Sequence, residues 1–201
     1  MVASLQSTLN SCVMNSARLL LLAAFLAFVA VGNAQQKSLK WWTAQVNKWF
    51  RKEKIVPQLL PQAPRWFATV DFGRGNFVNL GNVLTQQDAA EEPQDVHWWS
   101  APGEWYTLAV FDPDAPQNGP FRHFLEALRK GRVISSYYDP DPPAGSGDHR
   151  YVWVVYKQLQ RLGNVKERED LDDRYGWNVT DFARRYDLGK PHAGNFFYVK
   201  S

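Results

Sequence analysis

The chain has 201 residues, a net charge of +3 from 23 Lys+Arg against 20 Asp+Glu, and one cysteine. Its bases and acids interleave without forming a stripe of one sign, which argues against a nucleic-acid-binding surface. The lone thiol, Cys12, falls in a segment read below as removed. The working chain then holds no disulfide, and it is not a thiol enzyme, a CxxC redox protein or a cysteine-ligated zinc protein.

The first 34 residues contain no acid, one Arg (Arg18) and an unbroken apolar run from Leu19 to Val31 that ends in Gly32-Asn33-Ala34. A basic start, a short apolar run and small residues at the exit predict a cleaved secretory signal over 1–34, with Met14 an alternative start. The run is shorter than the roughly 20 residues a membrane span needs, so no stable membrane insertion is expected and the mature chain is placed outside the cell. Residues 35–201 are then enough for one domain with a real core.

Over 39–54, Trp42, Val46, Trp49 and Phe50 recur at i, i+4, i+7 and i+8 with Lys and Arg between them, the pattern of an amphipathic helix. The three prolines of Ile55–Pro64 cannot continue that helix, and the segment reads as an extended connector closing a 35–64 region. A third region, 65–201, follows. Its runs WFATVDF (66–72), NFVNLG (76–81), WYTLAVF (105–111), RVISSYY (132–138), YVWVVY (151–156) and NFFYV (195–199) are β-rich and bounded by Gly, Pro, Asn and Asp. Such spacing predicts a largely antiparallel β domain. A second helix is expected over 179–188, capped by Asn178 or Thr180, stopped by Gly189 and followed by Pro191. Asn178-Val179-Thr180 is also a sequon, so glycosylation is expected at Asn178 of a secreted chain.

Two segments stand out for their chemistry. In DPDAP (112–116), Pro113 and Pro116 fix φ near −65° and aim the carboxylates of Asp112 and Asp114 from a stiff loop. In DPPAGSGDHRYVW (141–153), a Pro- and Gly-rich loop delivers His149, Arg150 and Tyr151 into an apolar strand, and His123 leads another strand. An Asp, two His and a Tyr at strand mouths can form a small polar pocket for a phosphate or carboxylate, with Asp112 orienting one imidazole. The same residues also fit ordinary turn chemistry, and spacing alone leaves both readings open. Ser146 lies three residues before His149 but lacks a GxSxG elbow, so no hydrolase is expected. No two of His97, His123, His149 and His192 have metal-ligand spacing, so neither metal nor cofactor is expected.

YTLAVFDPDAP, a His-led strand, GDHRYVWVVYKQ and FARRYDLGKPHAGNFF, in that order, resemble the phosphatidylethanolamine-binding protein family over about Phe67 to Phe197. The resemblance implies a β-rich fold: a central antiparallel sheet, a second smaller sheet and a few peripheral helices. It implies an anion pocket of Asp112, Pro116, His123, Pro142, Pro143, His149 and Tyr151, and a structural salt bridge between Asp114 and Arg150. The chain departs from the family pattern in three places. Only QNGPFR separates Pro116 from His123, which leaves Phe121 as the remaining aromatic wall; Asp141 stands where Gly is usual; and Glu126, Arg129 and Lys130 enter the strand after the His. The expected function is a secreted, monomeric, non-enzymatic protein that binds phosphate or a phosphoethanolamine-type phospholipid head group. The alternative is an inhibitor or regulator of a protein partner such as a serine protease.

Overall fold

The computed structural model describes residues 38–116, 119–128, 132–162 and 173–201. The expected signal over 1–34, with Cys12, and the charged Arg129 and Lys130 lie outside them. The chain divides into two compact units, Met1–Trp41 and Trp42–Ser201, and the sheet lies in the second. No helix among the described residues is long and apolar enough to cross a membrane.

Helix α1 is described from 38 to 52. Its predicted stripe is its buried face: Val46 and Phe50 are fully buried, and Trp42 stacks on Phe67 at 4.3 Å. The strands are β1 (Trp66–Asp71), β2 (Asn82–Val83), β3 (Asp95–Trp98), β4 (Tyr106–Asp112), β5 (Phe121–Leu128), β6 (Arg132–Ser135), β7 (Asp148–Gln158) and β8 (Leu188–Lys200), with helix α2 (Val179–Arg185) before the last. They form an eight-stranded sheet in the order β3-β1-β8-β7-β4-β5-β6, with β2 also pairing β8. Pairing is antiparallel except where β1 and β2 meet β8. The smaller sheet is the β1–β3 pair, joined to the larger through Trp66 and Phe67.

β7 shows why this sheet is central. Val152, Val154 and Tyr156 enter the core beneath the helices with Phe50, Phe182 and Phe196, while Tyr151, Trp153 and Val155 enter the opposite core with Val110, Phe124 and Phe197. A strand covered on both faces reads as a continuous apolar run because each alternate set of side chains has its own core. Asn195 ties β8 to its neighbours: fully buried, it donates from Nδ2 to the carbonyls of Ala68 and Val78 and accepts from Leu80 N–H.

Three expectations are corrected. Residues 55–64 are not extended. The N–H groups of Leu59 and Leu60 both return to Ile55 O, and Ile55, Val56 and Leu60 are buried, because the prolines stop the helix while their apolar neighbours still seek the core. NFVNLG is mostly loop; only Phe77 bridges to Asp71, and Leu80 (φ 48°) and Gly81 (φ 100°) turn the chain left-handed. Conversely, β3 and the start of β8 carried no strand signal. β8 contains Pro191, which is accommodated at register shifts opposite Tyr156. Helix α2 ends at Arg185, three residues before the expected end, and Asp187 at φ 50° turns into β8.

Candidate functional site

All seven residues of β4 are buried, and the strand delivers Asp112 to its end. Pro113 cannot continue the ladder, and the Asp112 carboxylate accepts the Asp114 N–H at 2.8 Å, closing a tight turn over itself. β7 lies antiparallel beside β4, with Phe111 opposite Val152, so His149 projects past the paired end of β4 toward this turn. His149 Nδ1 lies 2.7 Å from Asp112 Oδ2, and both residues are buried. Burial pushes the Asp112 pKa up, opposed by the His149 hydrogen bond and the Asp114 N–H.

Ser146 completes the chain of contacts. Its Oγ is 2.6 Å from Pro143 O and 2.8 Å from His149 Nε2. A carbonyl only accepts, so the hydroxyl proton goes to Pro143 O, and Oγ receives its own hydrogen bond from Nε2–H. Both ring nitrogens of His149 are thereby engaged, Nδ1 by Asp112 and Nε2 by Ser146. Ser146 contacts a histidine that contacts an aspartate, yet its proton points away from the imidazole that would have to remove it.

His123 reaches the site through an irregularity. β5 pairs with β4 as Arg122 opposite Phe111 and Phe124 opposite Val110, leaving His123 without a partner. This bulge puts two consecutive residues on one face: His123 meets Tyr151 edge-to-face at 4.8 Å, and Phe124 packs in the same core as Tyr151. His123 Nδ1 lies 2.6 Å from Tyr138 O. That carbonyl can only accept, so Nδ1 carries the proton and Nε2 holds a lone pair. Burial lowers the His123 pKa to about 4, against the hydrogen bond to Tyr138.

These groups surround a cavity of about 240 Å³. Asp112, Pro116, His123, Pro142, Pro143, His149 and Tyr151, the seven residues named from the sequence, all line it, together with Ala115, Phe121, Tyr138, Asp141 and Tyr175. Phe121 is not the sole aromatic wall: Tyr138 and Tyr175 pack against it at 5.3 and 4.8 Å. Tyr138 closes a run read only as a strand. Tyr175 is brought in by a distant loop whose Arg174 O accepts Arg122 N–H and whose Trp177 N–H reaches Pro120 O. No local pattern announces either residue.

Asp114 and Arg150 meet in a bidentate pair, Nε to Oδ2 at 2.7 Å and Nη2 to Oδ1 at 2.5 Å. The Arg150 backbone N–H also donates to Asp114, and Nη1 donates to Glu53 O at the end of α1. Burial raises the Asp114 pKa, but the Arg150 guanidinium and N–H outweigh it and hold the carboxyl below the usual range. Glu126 sits on β5, next to the edge strand β6, and burial raises its pKa. His97 is exposed, and His192 lies against Trp99 and Tyr106, so neither joins the cavity. Among the described residues no group of three or more His, Cys, Asp or Glu could hold a metal ion. Asn178 is exposed at the start of α2, where its Oδ1 accepts from Thr180 and Asp181 N–H.

The family model described as phosphatidylethanolamine-binding protein matches residues 74–197. A 26 kDa secreted antigen of Toxocara canis is 33% identical over 74% of this chain, which spans 62% of that protein's length. A Drosophila melanogaster protein named odorant-binding protein A5 is 27% identical over 86% of each chain. Among solved structures, a carboxypeptidase Y inhibitor in complex with its cognate proteinase superposes with a TM-score of 0.67 at 22% identity, covering 79% of this chain and 95% of that one. The phosphatidylethanolamine-binding protein of Plasmodium vivax gives 0.64 at 22% identity, covering 77% and 96%. At such identities the two structures bear on the fold alone.

Proposed function

The chain belongs to the phosphatidylethanolamine-binding protein family, and from that premise we propose that it is a secreted, non-enzymatic binding protein that holds phosphate or a phosphoethanolamine-type head group in the cavity at the ends of β4, β5 and β7. The observation that carries this reading is the convergence of Asp112, Pro116, His123, Pro142, Pro143, His149 and Tyr151 on one cavity from segments far apart in the chain. The cavity is smaller than the roughly 300 Å³ at which pockets for drug-sized ligands start, so it is small for a whole lipid and suits a head group. The non-enzymatic reading agrees with the names of the matched relatives and with the direction of the Ser146 proton. The extracellular reading draws on the apolar run of residues 19–31 and on the matched secreted antigen.

The test is an NMR titration of the purified protein with phosphoethanolamine and inorganic phosphate, following the imidazoles of His123 and His149 beside a His149→Ala variant. Saturable shifts that disappear in the variant support the reading; signals unmoved at millimolar ligand overturn it. A second reading, regulation of a protein partner such as a serine protease, takes its support from the inhibitor that shares the fold. Inhibition that survives loss of both His123 and His149 would favour it, because a surface contact does not need the cavity.

A further inference from the structure

We propose that the cavity binds phosphate monoesters as the protonated monoanion, the ligand's P–OH donating to His123 Nε2, so that each dianion drawn from neutral solution is bound together with one proton. The inference rests on the anion-site reading above and adds which anion the site selects.

The argument is an inventory of hydrogen-bonding groups. No Lys or Arg is among the described residues that line the cavity. Two guanidinium groups that act on the cavity's ionisable residues are committed elsewhere: Arg150 to Asp114 and Glu53 O, and Arg174 to the carbonyls of Arg122, His123 and Ser136. His149 has no free N–H to offer, since Asp112 and Ser146 occupy its two ring nitrogens. Asp141 adds a carboxylate to the wall. What remains is a set of phenol donors, Tyr138, Tyr151 and Tyr175, and one histidine nitrogen that can only accept.

A phosphate dianion brings acceptors alone and would set an oxygen lone pair against the lone pair of Nε2. A monoester monoanion brings one P–OH and resolves that contact. A diester monoanion, as in a phospholipid head group, has the same charge but no proton to offer. Moving the proton from the ligand to His123 does not escape the requirement, since the complex contains it either way. The groups around the imidazole do not supply a negative field strong enough to charge it in advance. Asp139 favours the imidazolium, whereas burial, Arg174 and His149 oppose it, and Asp112, Asp141 and the phenols of Tyr138, Tyr151 and Tyr175 complete the surroundings. Burial also holds the Tyr151 phenol protonated and able to donate.

The experiment is isothermal titration of the purified protein with monomethyl phosphate and with dimethyl phosphate at pH 6.5, 7.5 and 8.5, in two buffers of different ionisation enthalpy. With a second phosphate pKa of about 6, the monoester's affinity falls about 70-fold from pH 6.5 to 8.5, and close to one proton is taken up per ligand at the upper end. Dimethyl phosphate binds at least tenfold more weakly than the monoester at pH 6.5. An affinity flat with pH, no proton uptake, or equal binding of the diester overturns the proposal while leaving the anion-site reading standing. No binding of either ligand even at pH 6.5 overturns both. Independently, long-range ¹H–¹⁵N spectra of the free protein show His123 protonated at Nδ1 and bare at Nε2; a free protein with the opposite tautomer removes the basis of the inference.

Discussion

Replacing Arg150 with Ala tests how the cavity's two loops are held together. The change deletes three hydrogen bonds from a charged group, two to Asp114 and one to Glu53 O. Hydrogen bonds to charged groups contribute about 1.5–3 kcal/mol each when buried. Here the Arg150 and Asp114 side chains are 16% and 26% exposed, so solvent screening moves each toward or below the lower limit. Asp114 also keeps the Arg150 backbone N–H. The expected loss is about 3 kcal/mol, which for a unit of this size lowers Tm by about 6–12 °C. The sign with pH follows from the depressed Asp114 pKa. The stabilisation is present above the unfolded carboxylate value of about 3.9 and is lost as pH falls through the lower folded value. Urea unfolding of the wild type and Arg150→Ala, followed by tryptophan fluorescence, should therefore show the full gap at pH 7 and a gap that narrows as the pH falls below about 3.9. A gap below about 0.5 kcal/mol at pH 7 would mean that the pair is screened to nothing. A gap that never narrows, down to the lowest pH at which both proteins stay folded, would point to the arginine stem rather than its charge as the stabilising part.

Two further outcomes follow from the same physical reasoning. Gly194→Ala places a Cβ 2.7 Å from Pro64 Cγ and 3.0 Å from both Phe50 Cζ and Trp153 O. Because Trp153 O belongs to a paired strand and cannot withdraw, calorimetry should find about 1–3 kcal/mol of destabilisation, and an unchanged Tm would contradict the packing described. Protein from a secreting host should carry an N-glycan at Asn178, seen as a gel shift on enzymatic deglycosylation. That shift should vanish in both Asn178→Gln and Thr180→Ala, but Asn178→Gln alone also removes the cap of α2, at a cost of about 1 kcal/mol. A shift that persists in Thr180→Ala places the glycan elsewhere.

Much of this molecule is legible along the chain because the signals are local. The apolar runs at 105–111 and 151–156 became β4 and β7, since a strand covered on both faces needs apolar side chains at every position. The helix at 39–54 announced itself through the spacing of Trp42, Val46, Trp49 and Phe50. The two motifs and the His-led strand, through the family resemblance, named seven of the residues that line the cavity and the pair that ties its loops. Tertiary structure decided the rest. The turns of 55–64 depend on a core contributed by β7 and β8, which no window around those prolines contains. Pro191 stays in β8 because register shifts on the neighbouring strand make room for it. Tyr175 enters the cavity through backbone bonds between Arg174 and Arg122, residues far apart in the chain. Most consequential for function is the proton on His123: its position depends on a bulge opposite β4 and on one carbonyl of Tyr138. A sequence can show that a histidine is present, but which of its nitrogens faces a ligand depends on the partner that the folded backbone presents to the other.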